Sequence, residues 1–307
     1  MPTFKHENEP ADALRRLASE RAIKLKRDKI FLSLFMPKGA AKELRRAYSY
    51  LRSVDDLVDA DPPQRAEYFK AKERLLRAIS GEKSGDRVVD RFAEIAVRRG
   101  FRREWFDAFF NSMEMDLRNA RYETRADLEQ YVSGVSDAPA EMICSICGFR
   151  GKAREGLSSL ARSIEYLNLL RDLGEDLAGG RNYIPLEELK RYGLRDASEG
   201  AARENKAGFM KLVKAELARY DGIAREADEG LKRMPAGYGL PLLTVSSVYQ
   251  WEARRIARNP YIIYEANRRN FRPSKARVMV YLVQNAFDYV PGRGEKRSGP
   301  RRFQTNV

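Results

Sequence analysis

The chain has 307 residues, of which 43% are hydrophobic, and its formal net charge is +14. This length and apolar content fit one large helical domain or two smaller ones with a substantial core. The excess of Lys and Arg favours an anionic partner, such as nucleic acid, an anionic membrane surface or a phosphate-bearing substrate. No apolar run approaches the roughly 18–20 residues of a membrane span, and the first residues lack the apolar core of a signal peptide.

Apolar residues recur every three to four positions along most of the chain, which predicts helices. Because no sustained two-residue alternation is found, the predicted fold class is all-α. The predicted segments, in chain order, are 11–27, 39–60, 103–120, 156–180, the polar–apolar segment 201–234, 240–258 and 273–289. We expect a flexible N-terminus at 1–10, one domain at 11–290 and a disordered basic tail at 291–307, since this end is Gly/Arg-rich and aperiodic.

The two cysteines, Cys144 and Cys147, form a C-x-x-C pair. Such a pair is redox-active in some proteins and half of a zinc site in others. Here no second pair exists and the only histidine is His6, so we predict that both cysteines pack as small apolar residues on one helix face. Two cysteines give no disulfide framework, which favours a reducing cytoplasm.

Three acids accompany the apolar face of the second predicted helix. Asp55 and Asp59 are four residues apart, so they lie one turn apart on the same face, with Asp56 beside them. Arg52 precedes Asp55 by three residues, and Tyr48 lies one turn before Arg52. A helix with this pattern is unusual, because a face that is to be buried rarely carries several carboxylates.

A second acidic stretch lies in the predicted helix at 156–180. Asn168, Asp172 and Asp176 are spaced by four and four, which predicts one polar stripe along about two turns. Arg171 and Glu175 adjoin this stripe.

A solvated charged face is the usual explanation of one acidic pair at this spacing. Two such clusters favour another explanation, because like charges one turn apart repel and weaken a helix unless cations compensate them. Arg52 and Arg171 supply part of that charge. A hard ion such as Mg²⁺ supplies more, since it binds one or two carboxylates together with waters and phosphate oxygens. We therefore predict that the two stretches face each other and hold metal ions with a diphosphate.

The two stretches resemble the aspartate-rich signatures of the squalene/phytoene synthase family. The first is YSYLRSVDDLVD at 48–59, and the second is YLNLLRDLGEDLAGGRNYIP at 166–185. A third segment, MEMDLRNARYETRADLEQYVSG at 113–134, is similar to the family's third landmark. The second signature is the most specific, because N-x-x-x-R-D-x-x-x-D followed by R-x-Y-x-P is long. The resemblance covers residues from about 28 to about 290.

The resemblance implies one isoprenoid-synthase domain, whose helices surround a deep apolar cavity with the acidic stretches at its mouth. It implies a prenyltransferase that joins two prenyl diphosphates head to head through a cyclopropyl diphosphate, with Mg²⁺ or, in its place, Mn²⁺. The implied metal ligands are Asp55, Asp59, Asn168, Asp172 and Asp176. The groups implied around the diphosphates are Tyr48, Arg52, Arg171, Tyr249 and, by a looser match, Arg269. Tyr183 is implied near the reacting carbons, and Asp116 is implied as an acid lining the same cavity. The implied catalytic residues are Asp55, Asp59, Asp116, Asp172, Asp176 and Tyr183.

The chain departs from the family pattern in three places. A Ser-rich segment is replaced by KRDKIFLSLFMP at 26–37, a glutamine before the second signature is Glu165, and a V-A-G-T-V-G turn is VSDAPA at 135–140. Ser33 falls where the resemblance places a cavity-lining helix, and a small side chain there leaves depth for a long prenyl tail. This favours two geranylgeranyl (C20) diphosphates and phytoene over farnesyl (C15) diphosphate and squalene or dehydrosqualene. NADPH is expected only if the product is squalene.

A non-catalytic basic helical binding protein is the alternative from a different class, motivated by the net charge. No DNA-binding motif is found, and the acidic stretches would repel phosphate without metal, so we expect no nucleic-acid partner. We expect a cytoplasmic protein, with peripheral attachment to membranes through basic residues as a further hypothesis. Phe106, Phe109 and Phe110 are candidates for lining the cavity and otherwise belong to the core.

Overall fold

The computed structural model of the protein describes residues 38–118, 121–265, 271 and 273–289. Within these ranges the chain is helical, and the only strand-like feature is an isolated parallel bridge between Arg121 and Asn182. The prediction of an all-α fold is confirmed. None of the helices in this part of the chain combines the length and the apolarity that crossing a membrane requires.

The helices follow one another with short connections. The first six are α1 (Lys38–Val58), α2 (Arg65–Ile79), α3 (Arg87–Arg99), α4 (Arg103–Leu117), α5 (Arg125–Val132) and α6 (Ala138–Cys147). The next seven are α7 (Gly151–Arg171), α8 (Leu173–Ala178), α9 (Leu186–Arg191), α10 (Glu199–Glu204), α11 (Lys206–Leu231), α12 (Ala236–Arg258) and α13 (Lys275–Asp288). A π-helix (Ser133–Asp137) joins α5 to α6, and a 3₁₀-helix (Pro260–Tyr264) follows α12.

Local sequence signals explain several of these boundaries. The Asp86 carboxylate accepts a hydrogen bond from the Val88 backbone N–H at 2.7 Å, which satisfies one of the free donors at the start of α3. The same helix ends at Gly100, whose φ of 64° lies in the left-handed region that glycine adopts most readily. Thr124 and Asp127 form a reciprocal capping box at the start of α5.

Two predicted helical segments are interrupted in the structure. The segment at 156–180 breaks at Asp172, where φ is −92° and ψ is 9°, so α7 ends at Arg171 and α8 begins at Leu173. The Asp172 N–H still donates to the Asn168 carbonyl at 2.8 Å, and the Asp172 carbonyl accepts from the Asp176 N–H at 2.9 Å, so the four-residue spacing of the predicted polar stripe continues across this one residue. The segment at 201–234 is divided by Asn205, whose side chain accepts from the Gly208 N–H at 2.9 Å and begins α11.

Helices α7 and α11 form the most extensive helix–helix contact in the described chain. Two glycines allow their backbones to approach closely. A Cβ atom added to Gly156 would lie 2.6 Å from the Gly230 Cα, which no side chain tolerates. In the C-terminal half of α7, which carries the second acidic stretch, Leu167 and Leu170 share a buried cluster with residues of α11.

The buried side chains divide into clusters around this pair. One cluster contains residues of the first four helices and of α6, and it includes Phe106, Phe109 and Phe110. A second cluster joins the C-terminal half of α7 to α9, α11 and α12. A third, smaller cluster contains four tyrosines, which are Tyr122, Tyr131, Tyr166 and Tyr183. The three phenylalanines are buried among other core aromatics, so they contribute to packing.

Cys144 is buried and Cys147 is half-buried, and both are free thiols on α6. Cys144 belongs to a further apolar cluster, which contains Leu157, Leu160 and Leu231, and Cys147 packs against this cluster. Burial raises the pKa of each thiol to about 12, so neither is a ready thiolate. The prediction that the pair serves packing is confirmed.

Candidate active site

The acids of the first stretch lie near the C-terminal end of α1, next to one arginine. The Arg52 guanidinium contacts the carboxylate of Asp55 through Nη1 and that of Asp56 through Nη2, the latter at 2.9 Å. Burial and the neighbouring charge of Asp59 raise the pKa of Asp55 to about 6, against the opposing effect of Arg52. Tyr48 is half-buried on the same helix and lies close enough to Arg52 to influence its pKa. One guanidinium therefore serves two carboxylates and leaves Asp59 to another partner.

The second stretch is organised around Arg171. Its guanidinium binds both oxygens of Asp172, at 2.8 and 2.7 Å, and its third nitrogen binds the buried Glu252 of α12 at 2.8 Å. Burial alone would lower the pKa of Arg171, but the charges of Asp172, Tyr249 and Glu252 outweigh it and hold the pKa above its usual range. Tyr249 thus lies near this arginine.

Arg181 connects the two acidic stretches across the fold. Its Nη1 lies 2.9 Å from an oxygen of Asp59, on the loop that follows α1, and its Nη2 lies 3.9 Å from an oxygen of Asp176 on α8. The predicted convergence of the two stretches is therefore present. Burial raises the pKa of Asp176 to about 7, although the charge of Arg181 acts in the opposite direction. An ionised carboxylate at this position is thus only partly compensated.

A third acid, Asp116 of α4, lies beside the tyrosine cluster. It accepts a hydrogen bond from the Tyr183 hydroxyl at 2.6 Å and another from the Tyr131 hydroxyl at 3.0 Å. Burial raises the pKa of Asp116 to about 6. Because Tyr122 stacks on Tyr183, with ring centroids 5.8 Å apart, the orientation of Tyr183 is fixed from two sides.

Glu165, the residue that departs from the family pattern, points into the same region. Burial raises its pKa to about 7, and the charges of Asp116, Asp55 and Asp172 act in the same direction. The amide of Asn168 donates a hydrogen bond to it, which lowers the pKa in part. Glu165 therefore adds negative charge to a site that already holds more carboxylates than arginines.

Most of the predicted site residues lie together in the structure, and the others fall outside the described residues. The structure brings together Tyr48, Arg52, Asp55 and Asp59 with Asp116, Asn168, Arg171, Asp172, Asp176, Tyr183 and Tyr249. Arg269 and the segment 26–37 with Ser33 lie outside the described residues. The predicted apolar cavity stays a prediction.

Sequence reasoning did not assign a role to Arg181, Tyr131 or Glu252. Arg181 had a signal, because it is the first residue of the R-x-Y-x-P motif. Tyr131 contacts Asp116, which is 15 residues away in sequence, and Glu252 contacts Arg171, which is 81 residues away. No local sequence pattern indicates such contacts.

The donor atoms of this region suit a hard divalent cation. Across the described ranges, no group of three or more Asp, Glu, His or Cys side chains is arranged to hold a metal ion. Arg52, Arg171 and Arg181 instead hold carboxylates in pairs. The carbonyl oxygen of the Asn168 side chain, however, is buried without a hydrogen-bond partner. Carboxylate and amide oxygens are ligands that Mg²⁺ prefers, so the residues fit the ion.

A separate polar groove of about 600 Å³ lies along α2, α4 and α5, lined by Lys72, Asp107, Ala108, Asn111, Glu114, Gln130 and Ser133. It shares no residue with the acidic region. An ion pair of 2.6 Å between Lys72 and Glu114 lies in its wall, so its charges already compensate each other.

The fold has counterparts among solved structures. A dehydrosqualene synthase in complex with a ligand matches it with a TM-score of 0.72 at 20% identity, over 91% of this chain and 98% of that chain. A squalene synthase from Alicyclobacillus acidocaldarius matches with a TM-score of 0.63 at 21% identity, over 75% of this chain and 88% of that chain. The protein thus has the all-α isoprenoid-synthase fold.

The sequence comparisons give the family. The model of the squalene/phytoene synthase family matches residues 26–278, and the chain belongs to this family. It is therefore a prenyltransferase of the phytoene/squalene synthase type, which joins prenyl diphosphates head to head.

The relatives carry two different names. A 15-cis-phytoene synthase of Synechocystis sp. is 26% identical over 270 residues, which are 82% of this chain and 78% of the relative. A presqualene diphosphate synthase of Rhodopseudomonas palustris is 31% identical over 163 residues, which are 52% of this chain and 58% of the relative.

Proposed function

We propose that the protein condenses two geranylgeranyl diphosphates into phytoene through a cyclopropyl diphosphate, in a reaction that depends on Mg²⁺. The observation that carries the proposal is the convergence of the two acidic stretches on Arg181, with more carboxylates than the arginines compensate. The C20 substrate is supported by the breadth of the similarity to a 15-cis-phytoene synthase, which extends over 82% of the chain.

The proposed metal ligands are Asp55, Asp59, Asn168, Asp172 and Asp176. Bound there, Mg²⁺ would neutralise the diphosphate and so make it a better leaving group. The unpartnered oxygen of Asn168 and the incompletely compensated carboxylate of Asp176 support this assignment.

The arginines act on the same negative charge from the protein side. Arg52 and Arg171 are fixed by their carboxylate partners, so they face the developing charge of the leaving diphosphate without reorganising. Tyr48 and Tyr249 lie next to these two arginines and offer hydroxyl donors to phosphate oxygens. Arg269 is proposed as a further diphosphate ligand on the sequence resemblance alone.

Asp116 and Tyr183 are proposed to act where the carbocation forms. The Tyr183 hydroxyl donates a hydrogen bond to Asp116 at 2.6 Å, so the carboxylate orients the phenol and increases the electron density of its ring. The face of such a ring attracts a cation. Tyr122, Tyr131 and Tyr183 are each at most 5% exposed, so they also keep water away from a cation that water would quench.

Farnesyl diphosphate is the alternative substrate, with squalene or dehydrosqualene as the product. The observation in its favour is the 31% identity with a presqualene diphosphate synthase, higher than that with the phytoene synthase although over fewer residues. Both alternatives use the same acids and arginines, because the diphosphate chemistry is the same.

Identification of the product tests the proposal. The purified protein is incubated with C15 or C20 prenyl diphosphate and Mg²⁺, with and without NADPH, and the extracted hydrocarbon is analysed by mass spectrometry. We expect phytoene from the C20 substrate, unchanged by NADPH and abolished by EDTA. Turnover of the C15 substrate and not of the C20 substrate would show that farnesyl diphosphate is the substrate, and turnover that persists in EDTA would contradict the metal assignment.

Peripheral attachment to membranes is also proposed, because prenyl tails partition into lipid.

A further inference from the structure

The last helix, α13, has apolar side chains on two opposite faces. The inner face, with Val278, Tyr281 and Leu282, is half-buried on the side of α12. Hydrogen bonds fix this side, since the Asn285 amide donates to the Ser247 hydroxyl at 3.1 Å and the hydroxyl of Tyr289 donates to the Met234 carbonyl. Within the described residues, the helix is therefore anchored to the rest of the protein through this inner face.

The outer face of α13 carries large apolar residues in contact with solvent. Met279, Val280, Val283 and Phe287 are 59%, 51%, 47% and 84% exposed. Positions 279, 283 and 287 are spaced by four and four, so they form one stripe along the helix. A surface helix normally places polar residues on its outer face. Of the eight exposed large hydrophobic residues in the described chain, half lie on this one helix.

Basic residues flank the stripe at the start of α13. Lys275 and Arg277 are exposed there, and the adjoining end of α12 adds the exposed Arg254 and Arg258. Trp251 of α12 connects the two helices here, because the Arg277 guanidinium of α13 lies over its ring, with Cζ 5.0 Å from the ring centroid. The sequence beyond the helix, residues 290–307, contains five basic residues and one acidic residue.

We propose that the outer face of α13 docks on an anionic lipid surface. The four apolar side chains, Met279, Val280, Val283 and Phe287, would enter the boundary between headgroups and acyl chains, and the flanking basic residues would bind the headgroups. The combination of an apolar stripe and basic flanks is the pattern of helices that lie in a membrane interface. The proposal rests on the proposed function for its purpose, since prenyl substrates and a hydrocarbon product are lipid-soluble.

Charge favours an anionic lipid surface over two other candidate occupants of the stripe, which are the N-terminal residues of the chain and a second copy of the chain. Residues 1–37 of the chain contain eight basic and five acidic residues, so they carry the same sign of charge as the flanks. A second copy of the chain would bring the same basic flanks to the contact, because a twofold interface pairs one patch with itself. Like charges across an interface oppose both arrangements, whereas an anionic lipid surface complements the stripe and its flanks together.

Vesicle flotation without substrate tests the proposal independently of the reaction. The full chain is mixed at low salt with phosphatidylcholine vesicles, with or without phosphatidylglycerol. We expect flotation with the anionic vesicles only, and a loss of about 10-fold or more in the double variant Val283→Asp/Phe287→Asp. The matched control is Phe69→Asp/Val97→Asp, at positions that are 50% and 63% exposed on α2 and α3. The control should float like the parent chain.

Three flotation results would overturn the proposal: equal binding to neutral vesicles, equal loss in the control, or no binding of the parent chain. Turnover of detergent-dispersed substrate is measured on the same preparations, and the α13 variant should retain it. A variant that floats poorly but turns over normally supports the proposal, while a parent chain that floats but never turns over contradicts only the proposed function.

Thiol labelling of a Phe287→Cys variant shows whether another occupant covers the stripe. Cys144 and Cys147 react slowly, because burial raises the pKa of both thiols to about 12. We expect fast labelling of the new thiol in solution and protection by anionic vesicles. Slow labelling in the absence of vesicles would mean that the chain itself or a second copy covers the helix, and the proposal would fail.

Discussion

Two clusters of carboxylates in this protein, one mostly half-buried and one buried, differ in their supply of arginine. In the acidic site, Arg52, Arg171 and Arg181 each contact two carboxylates, while Asp116 and Glu165 depend on tyrosine and asparagine partners. In the second cluster, Glu188 of α9 and Glu216 of α11 are 2% and 8% exposed. Three arginines surround these two glutamates, which are Arg125, Arg191 and Arg219.

Under the proposed function, the difference separates a structural cluster from a catalytic one. Charges buried with matching partners connect helices that are distant in sequence, and Arg125 does this by joining α5 to α9 and α11. Carboxylates buried without matching partners are unfavourable in the free protein, because burial disfavours the charged form. Their presence in the acidic site is understood if a cation and a diphosphate complete the charge balance during the reaction.

Removal of Arg125 gives the largest expected effect on folding. In the variant Arg125→Met, Glu188 and Glu216 lose their central partner and stay buried. Arg191 and Arg219 remain, but they contact the glutamates only at 3.4–3.9 Å. We expect a loss of about 3–5 kcal/mol in the free energy of unfolding, the usual consequence of removing one partner of a buried ion pair. Urea denaturation measures it.

The triple variant Arg125→Met/Glu188→Gln/Glu216→Gln is the control, since it removes both charges that Arg125 compensates. It should recover part of the lost stability. A loss below about 1 kcal/mol in the single variant, as for an exposed ion pair, would contradict the structural role of this cluster.

The variant Asp176→Asn should have the opposite profile. Turnover should fall by about 10²-fold or more, because one group of this kind contributes about 3 kcal/mol to transition-state stabilisation. The melting temperature without Mg²⁺ should be no lower than that of the parent, since Asp176 is incompletely compensated and its nearest arginine contact is at 3.9 Å. Product assays and thermal melts give the two quantities.

Asp221→Asn makes the same chemical change on an exposed part of α11 and should alter neither turnover nor melting temperature. If Asp176→Asn kept its turnover, the acids of α8 would be a solvated face. Asp172→Asn should differ from Asp176→Asn in stability, because Asp172 binds Arg171 through both oxygens and its loss leaves Glu252 as the remaining partner.

Arg181→Lys should give the smallest effect. Lysine keeps the charge but cannot contact Asp59 and Asp176 with two separate nitrogens in a fixed fork. We expect turnover to fall by about 10-fold, and to fall further in Arg181→Gln, which also removes the charge. The control Arg195→Lys lies at a side chain that is 66% exposed and should match the parent. Equal turnover in Arg181→Lys and the parent would show that charge alone matters at this position.

The sequence was most informative where function imposed a local pattern. The spacing of Asp55 and Asp59, and the long signature through Asp172 and Asp176, predicted the facing of two stretches that Arg181 now connects. Asp55 and Asp176 lie on helices. Asp59 and Asp172 lie just outside helix ends, but each is one helical hydrogen bond from its partner, so the helix period still predicts which side chains share a face.

Contacts between residues distant in sequence could not be predicted in the same way. Arg125 and Glu216 are 91 residues apart, and their pairing depends on how α5 crosses α11. The break at Asp172 was also missed, because the apolar period continues across it through Leu170 and Leu173, which are both buried. Hydrophobic periodicity locates a helical segment but does not show where a single residue within it leaves the helical dihedral angles.

A thermal melt with Mg²⁺ and inorganic diphosphate tests the central claim most directly, which is that the acidic site takes a cation and a diphosphate together. A ligand at about 100 times its Kd stabilises a protein by about 2.7 kcal/mol, which corresponds to a rise in Tm of about 5 °C or more for a chain of this size. We predict that rise for the parent chain and for Asp221→Asn, only with both additions present, and little or none for Asp176→Asn. An equal rise in Asp176→Asn, or no rise in the parent chain, would contradict the account.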